Sequence, residues 1–135
     1  MTSDLVRIFI EEVWNQRRLD LLDGLAADDY ELRNLADGSV ATRGRQGLRA
    51  QIEEWLRAFP DLRLLETDHL TDCERVASVA RITGCHTGAA FRAIEPRGAR
   101  IDAAIVAIFT GDGERLVSHS TLLQTRRLLE QLALG

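Results

Sequence analysis

Four long segments in the second half of the chain, residues 62–72, 75–86, 99–110 and 115–123, carry the residue types and two-residue alternation of β-strands. Asp72-Cys73-Glu74 separates the first pair and Gly111-Asp112-Gly113-Glu114 the last pair, and both read as hairpin turns. Between the two pairs lies a loop, residues 87–98, with Pro96 and two glycines. Strands joined this closely must run antiparallel, so half of the chain is committed to a meandering sheet that needs a cover for one face.

The first half supplies that cover. Ser3 or Asp4 is placed to cap a first helix, and Leu5, Ile8, Phe9, Val13 and Trp14 then recur at helical spacing. The pattern ends at Asn15-Gln16-Arg17-Arg18. A short second helix is predicted from Leu19 to Leu25, and a short strand from Tyr30 to Asn34. Asp37-Gly38-Ser39 marks a turn. A third helix runs from about Gly44 to Ala58, with Leu48, Ile52, Trp55 and Phe59 in register, and Pro60 ends it. Leu128, Leu129, Leu132 and Leu134 form the apolar side of a terminal helix. Residues 1–135 therefore read as one α+β domain, a cone-shaped barrel made of a strongly bent antiparallel sheet with N-terminal helices packed on it. Such a cone encloses a cavity suited to a small molecule.

Composition removes several function classes. The net charge of −4 does not fit a nucleic-acid surface. All 17 basic residues are Arg, so Schiff-base chemistry on a Lys is excluded. Cys73 and Cys85 make no disulfide framework, and the three His lack metal-ligand spacing, so no metal site is expected. Phosphate-binding glycine motifs are absent and no cofactor is expected. No apolar run reaches the ~20 residues of a membrane span. The opening residues do not read as a signal peptide, and a cytoplasmic location is expected.

The segment Leu116 to Gln124 is the most informative for chemistry. By strand alternation His119, Thr121 and Leu123 share one face, while Ser118, Ser120 and Gln124 share the other. An imidazole and a hydroxyl along one buried face read as the wall of a small-molecule pocket.

Several strings, taken in order, resemble the SnoaL-like polyketide cyclase family of the nuclear-transport-factor-like superfamily. They are Val13-Trp14-Asn15 with Leu19-Asp20-Leu21-Leu22, Ala27-Asp28-Asp29-Tyr30, Phe59-Pro60-Asp61-Leu62, Gly84-Cys85-His86-Thr87-Gly88, Glu114 to His119, and Leu128-Leu129-Glu130-Gln131-Leu132. The resemblance covers nearly the whole chain. It implies a cone fold and a cofactor-independent cyclase, or a cyclase-like dehydratase or isomerase, acting on a polyketide-type intermediate. In the family's aldol cyclases an Asp two residues after the His of the last strand is the general acid/base. Here that position is Thr121, which does not titrate near neutral pH. A pocket His of the preceding strand corresponds to Ala107. Of the Asp-Arg-Asp set of related epoxide hydrolases only Arg81 is matched, with Thr83 in an acid's place.

The candidate catalytic groups are His119, His86, Thr121 and Asp102. His119 is the best titratable one, with an ordinary pKa of about 6.5, and the alternative is a structural hydrogen bond. His86 ends a strand at the loop over the cone mouth, or caps that strand. Asp102 follows Arg100 as a paired charge at the mouth, or is the solvated start of its strand. The candidate substrate-binding groups are Trp14, Tyr30, Asn34, Trp55, Phe59, Arg81, Phe91 and Leu123. Asn34 orients a carbonyl or water. Arg81 faces an enolate or pairs with an acid outside the cone. The aromatic residues wall a flat ligand, or pack the core. A homodimer through the outer sheet face is expected from Ile82, Val106 and Ile108. Two other function classes compete: a hydroxylase-associated relative working with a separate reductase, and a binding protein without catalysis.

Overall fold

The computed structural model describes residues 1–134; the side chain of Leu134, and Gly135, lie outside the described residues. Helix α1, Thr2–Ile8, continues without a break as a π-helical segment, Phe9–Trp14. Its wider turn brings Phe9, Ile10 and Trp14 together on the surface that faces the sheet. The helix carries no side-chain cap. Ser3 and Asp4, expected to cap it, are engaged elsewhere: Ser3 with His69 and Asp4 with Arg7. A 3₁₀ turn, Leu19–Leu21, leads into the single turn α2, Leu22–Leu25. Strand β1 is Ala26–Asn34, four residues longer at its start than its apolar pattern implies. Strand β2, Val40–Arg43, was not predicted; it is too short to show a period.

Helix α3, Gly44–Ala58, buries Leu48, Ile52, Trp55 and Ala58 on one stripe. Leu48 and Ile52 each contribute ~1.5–3 kcal/mol on leaving water. The four long strands follow as β3, Arg63–Asp72; β4, Arg75–Cys85; β5, Arg100–Gly111; and β6, Leu116–Leu123. Helix α4, Thr125–Leu134, closes the chain.

The six strands form one sheet in the order β2-β1-β6-β5-β4-β3. Four pairings are antiparallel, as the turns dictate. The β1–β6 pairing is parallel, with Leu32 opposite His119 and Asn34 opposite Thr121, so the sheet is mixed. The sheet remains open between β2 and β3, and the helices complete the cone.

Strand alternation sorts the sheet into two faces. The inner rows are Val76, Ser78, Ala80 and Ile82 on β4, and Ile101, Ala103, Ile105, Ala107 and Phe109 on β5. Small residues sit at the centre of this surface: Ser78 lies opposite Ala107, and Ala103 opposite Ile82. Interiors normally fill such space. Here it stays open and becomes the cavity. Ile82, expected on the outer face, instead points inward, is buried and lines that cavity. Val106 and Ile108 do lie on the opposite face, half-buried.

Two side-chain amides tie helices to strand edges. The Asn15 amide donates to the Leu64 carbonyl at 2.9 Å, and its oxygen accepts the Leu64 N–H at 2.8 Å. Gln131 of α4 does the same for Asp102, at 2.9 and 3.1 Å, where β5 extends past the end of β6. Each satisfies backbone groups that have no strand partner.

Candidate active site

The cavity has a volume of about 400 Å³ and lies between the inner sheet face, the π-helical segment and α3. Phe9, Ile10, Trp14, Leu48, Ile52 and Trp55 come from the helices, and Leu64, Ala80, Ile82, Ile105, Ala107 and Phe109 from the sheet. Its polar groups are few: Ser78, His119, Thr121, Asn34, Gln51 and Thr125. Arg33 and Arg92 are the charged groups of the lining; no Asp or Glu is among them. This is a largely apolar vessel with a small set of fixed polar contacts.

His119 is the centre of that set. It is 7% exposed, lies stacked on Phe109 with centroids 4.7 Å apart, and meets the edge of Phe9 at 5.7 Å. Its Nδ1 is 2.5 Å from the Tyr30 hydroxyl. Tyr30 is wholly buried, and that burial pushes its ionisation well above the ordinary phenol range, so the hydroxyl keeps its proton. Burial also drives the His119 pKa from 6.5 down to about 3. A neutral imidazole carries one N–H. With the Tyr30 O–H donating to Nδ1, that proton resides on Nε2. His119 is thus a fixed neutral donor. The expected proton shuttle near neutrality does not fit this environment, because nothing close by offsets the cost of charging the ring.

Of the other predicted groups, Trp14, Asn34, Trp55, Thr121 and Leu123 line the same cavity as His119. Thr121 follows His119 by two residues on the inward row of β6. Asn34 lies at the rim, where its side-chain oxygen accepts the Ala36 N–H at 3.0 Å. Tyr30 stands behind His119 and acts on the cavity through it.

The remaining candidates lie away from the cavity. His86 is wholly buried beside Phe59, 5.1 Å between centroids, with Nε2 donating to the Ala89 carbonyl at 2.8 Å. Phe59 and Phe91 pack on each other and on the far side of Trp55, as a core cluster. Asp102 and Arg81 pair with each other at 2.7 Å on the outer face. They face away because residues at odd positions of β4 and even positions of β5 point outward.

Ser78 and Arg92 were not anticipated. Ser78 is a lone hydroxyl in the inner row of β4, and strict alternation along that strand marks it. Arg92 sits in the 87–98 loop with φ +49, next to Ala93 at φ +66, and no residue pattern announces that conformation.

A family model of SnoaL-like polyketide cyclases matches residues 4–132. No match was found among curated proteins. Among solved structures, a candidate SnoaL-like polyketide cyclase from Jannaschia sp. CCS1 is 15% identical, with a TM-score of 0.89 over 99% of this chain and 92% of that one. AclR, a candidate hydroxylase from Streptomyces galilaeus, is 21% identical, with a TM-score of 0.84 over 99% and 96%. IdmH, a candidate polyketide cyclase from Streptomyces antibioticus, is 23% identical, with a TM-score of 0.81 over 98% and 99%. At these identities the likeness speaks for the fold alone. The match across residues 4–132, on a chain with this sheet order and this cavity, carries the assignment: the chain belongs to the SnoaL-like polyketide cyclase family.

Proposed function

We propose that the protein is a cofactor-independent enzyme that closes or dehydrates a ring in a polyketide-type substrate. The observation that carries this is His119, a neutral N–H donor held by Tyr30 on the wall of an apolar cavity. A donor of this kind is already oriented before the reaction and faces little competing water. It therefore stabilises negative charge developing on a carbonyl oxygen as an enolate forms. Thr121 and Asn34 add neutral donors on the same strand pair. The aromatic walls from Trp14, Trp55 and Phe109 hold a flat chain folded, which brings its reacting carbons together. The work is done in the cytoplasm by a homodimer joined through the outer sheet face, where Leu122 is exposed beside Val106, and Leu65 and Leu70 are exposed on β3. A monomeric mass in light scattering would remove the dimer from this account.

The test uses 2-tetralone, a bicyclic aryl ketone, as probe. Its binding is followed by quenching of Trp14 and Trp55, both of which line the cavity. Its enolisation is followed by NMR as exchange of the protons next to the carbonyl in D₂O. Quenching together with exchange above the buffer rate is the expected result.

A second function has one observation in its favour: no carboxylate lines the cavity. A binding protein that carries a hydrophobic metabolite has no need of one. Quenching without exchange would establish that function instead.

A further inference from the structure

The cavity has no carboxylate on its wall, yet one stands a single hydroxyl away. Ser78 lines the cavity and is 2% exposed. Its hydroxyl donates to Glu66 Oε2 on the neighbouring strand β3. The same oxygen meets His69 Nδ1 at 2.9 Å, and His69 Nε2 lies 2.8 Å from the Ser3 hydroxyl of α1. An ionised carboxylate only accepts, so Ser78 O–H and His69 Nδ1–H both donate to it, and His69 Nε2 pairs with the Ser3 hydroxyl.

A break in regular pairing makes this arrangement possible. Residues three apart on a regular strand point to opposite faces. The β3–β4 register shifts between Glu66 and Asp68, so that Glu66 opposes Ala80 and His69 opposes Ser78, both inward positions of β4. The extra residue is Thr67, whose hydroxyl donates to the Val79 carbonyl at 3.2 Å. Such bulges re-aim side chains. This one sets a carboxylate and its imidazole partner on the cavity side of an edge strand.

We propose that Glu66 is the proton acceptor for the cavity, acting through Ser78, and that His69 and Ser3 position it. This rests on the enzymatic function proposed above. In the step, a proton leaves the carbon next to the substrate carbonyl and passes to Ser78 Oγ, as Ser78's own proton passes to Glu66 Oε2. The electron pair of the broken C–H bond becomes the enolate, whose oxygen accepts from His119 Nε2–H. The reverse path returns the proton to carbon, or delivers it to a departing hydroxyl that leaves as water. Glu66 is half-buried, so its carboxylate also reaches solvent.

Two variants test the relay with the same ketone. Glu66→Gln keeps the shape and an acceptor for Ser78 but removes the base, and Ser78→Ala removes the connecting hydroxyl. Each is expected to slow proton exchange about 100-fold, as loss of a general base does. The quenching midpoint should stay within about twofold of wild type, a split that a merely structural role would not produce. The double variant should be no slower than either single one, because the two groups work as a unit. Exchange that persists near the wild-type rate in either folded variant overturns the relay alone. A wild-type protein that binds the ketone without exchanging its protons overturns the enzymatic function and the relay with it.

Discussion

The Tyr30 hydroxyl and His119 Nδ1 lie 2.5 Å apart at the back of the cavity, and this contact decides which imidazole nitrogen carries the proton. Replacing Tyr30 by Phe removes the donor and leaves Nδ1 buried without a partner. Stability should fall by about 1–3 kcal/mol, the cost of an orphaned buried acceptor. The imidazole also becomes free to hold its proton on either nitrogen, so ketone binding should weaken by severalfold. Urea unfolding and the quenching titration measure the two effects separately, and a variant unchanged in both would show that Tyr30 does not set the tautomer.

His119 also sets a dependence of stability on pH. Its pKa is about 3 in the folded protein against an ordinary 6.5. Between these values the unfolded chain takes up a proton that the folded protein refuses. The stabilisation is therefore complete above pH 6.5 and declines as pH falls toward 3. The slope from this one group reaches about 1.4 kcal/mol per pH unit. Unfolding free energies measured across that window should drop with acid, and His119→Phe should flatten the curve. A wild-type curve that does not decline there would mean that the imidazole is solvated.

The amide clamps at Asn15 and Gln131 each satisfy one backbone N–H and one backbone carbonyl at a strand edge. Substituting Asn15 by Ala strands two backbone groups at once; substituting Gln131 strands the Asp102 N–H, while the Asp102 carbonyl still accepts from Arg127 Nε at 2.8 Å. A loss of about 1–3 kcal/mol is expected for Asn15→Ala. Gln131→Ala should add local opening of α4, seen as faster amide exchange at residues 125–133 with β4 unaffected. Equal protection in wild type and variant would assign α4 docking to Leu128 and Leu132 with the Arg127 and Arg97 hydrogen bonds.

Gly88 is held by space. Its N–H donates to the Ala58 carbonyl at 3.1 Å, and the next residue, Ala89, donates to Arg57 at 2.8 Å, so this loop closes the open end of α3. A Cβ at Gly88 would collide with the Arg57 carbonyl oxygen. Gly88→Ala should cost more than about 2 kcal/mol, the scale of a forced backbone shift. Gly24→Ala meets nothing within 4 Å and should be neutral or mildly stabilising. Thermal melts of the pair make the comparison, and similar melting temperatures would sink the steric account.

The local period of the chain determined its elements. α3 and the four long strands appear within a residue or two of where apolar spacing, turn residues and Pro60 place them. These features act over a few residues, so they are legible without the fold. That His119, Thr121 and Leu123 share one face follows from the same two-residue alternation, and the packing of the helices makes that face the cavity wall. Tertiary structure alone decided what meets across distance. The parallel partnership of β1 with β6 joins residues some ninety positions apart, and no local pattern encodes it. It is this pairing that sets Tyr30 behind His119. Arg81 and Asp102 look like site residues in the sequence, but pair register turns them outward together. Glu66 and His69 have the wrong spacing for a shared face until the bulge at Thr67 brings them onto one. Burial is equally non-local: His119 is an ordinary imidazole in the sequence, and becomes a fixed neutral donor because Phe9, Phe109 and Tyr30 converge on it from three different elements and exclude water.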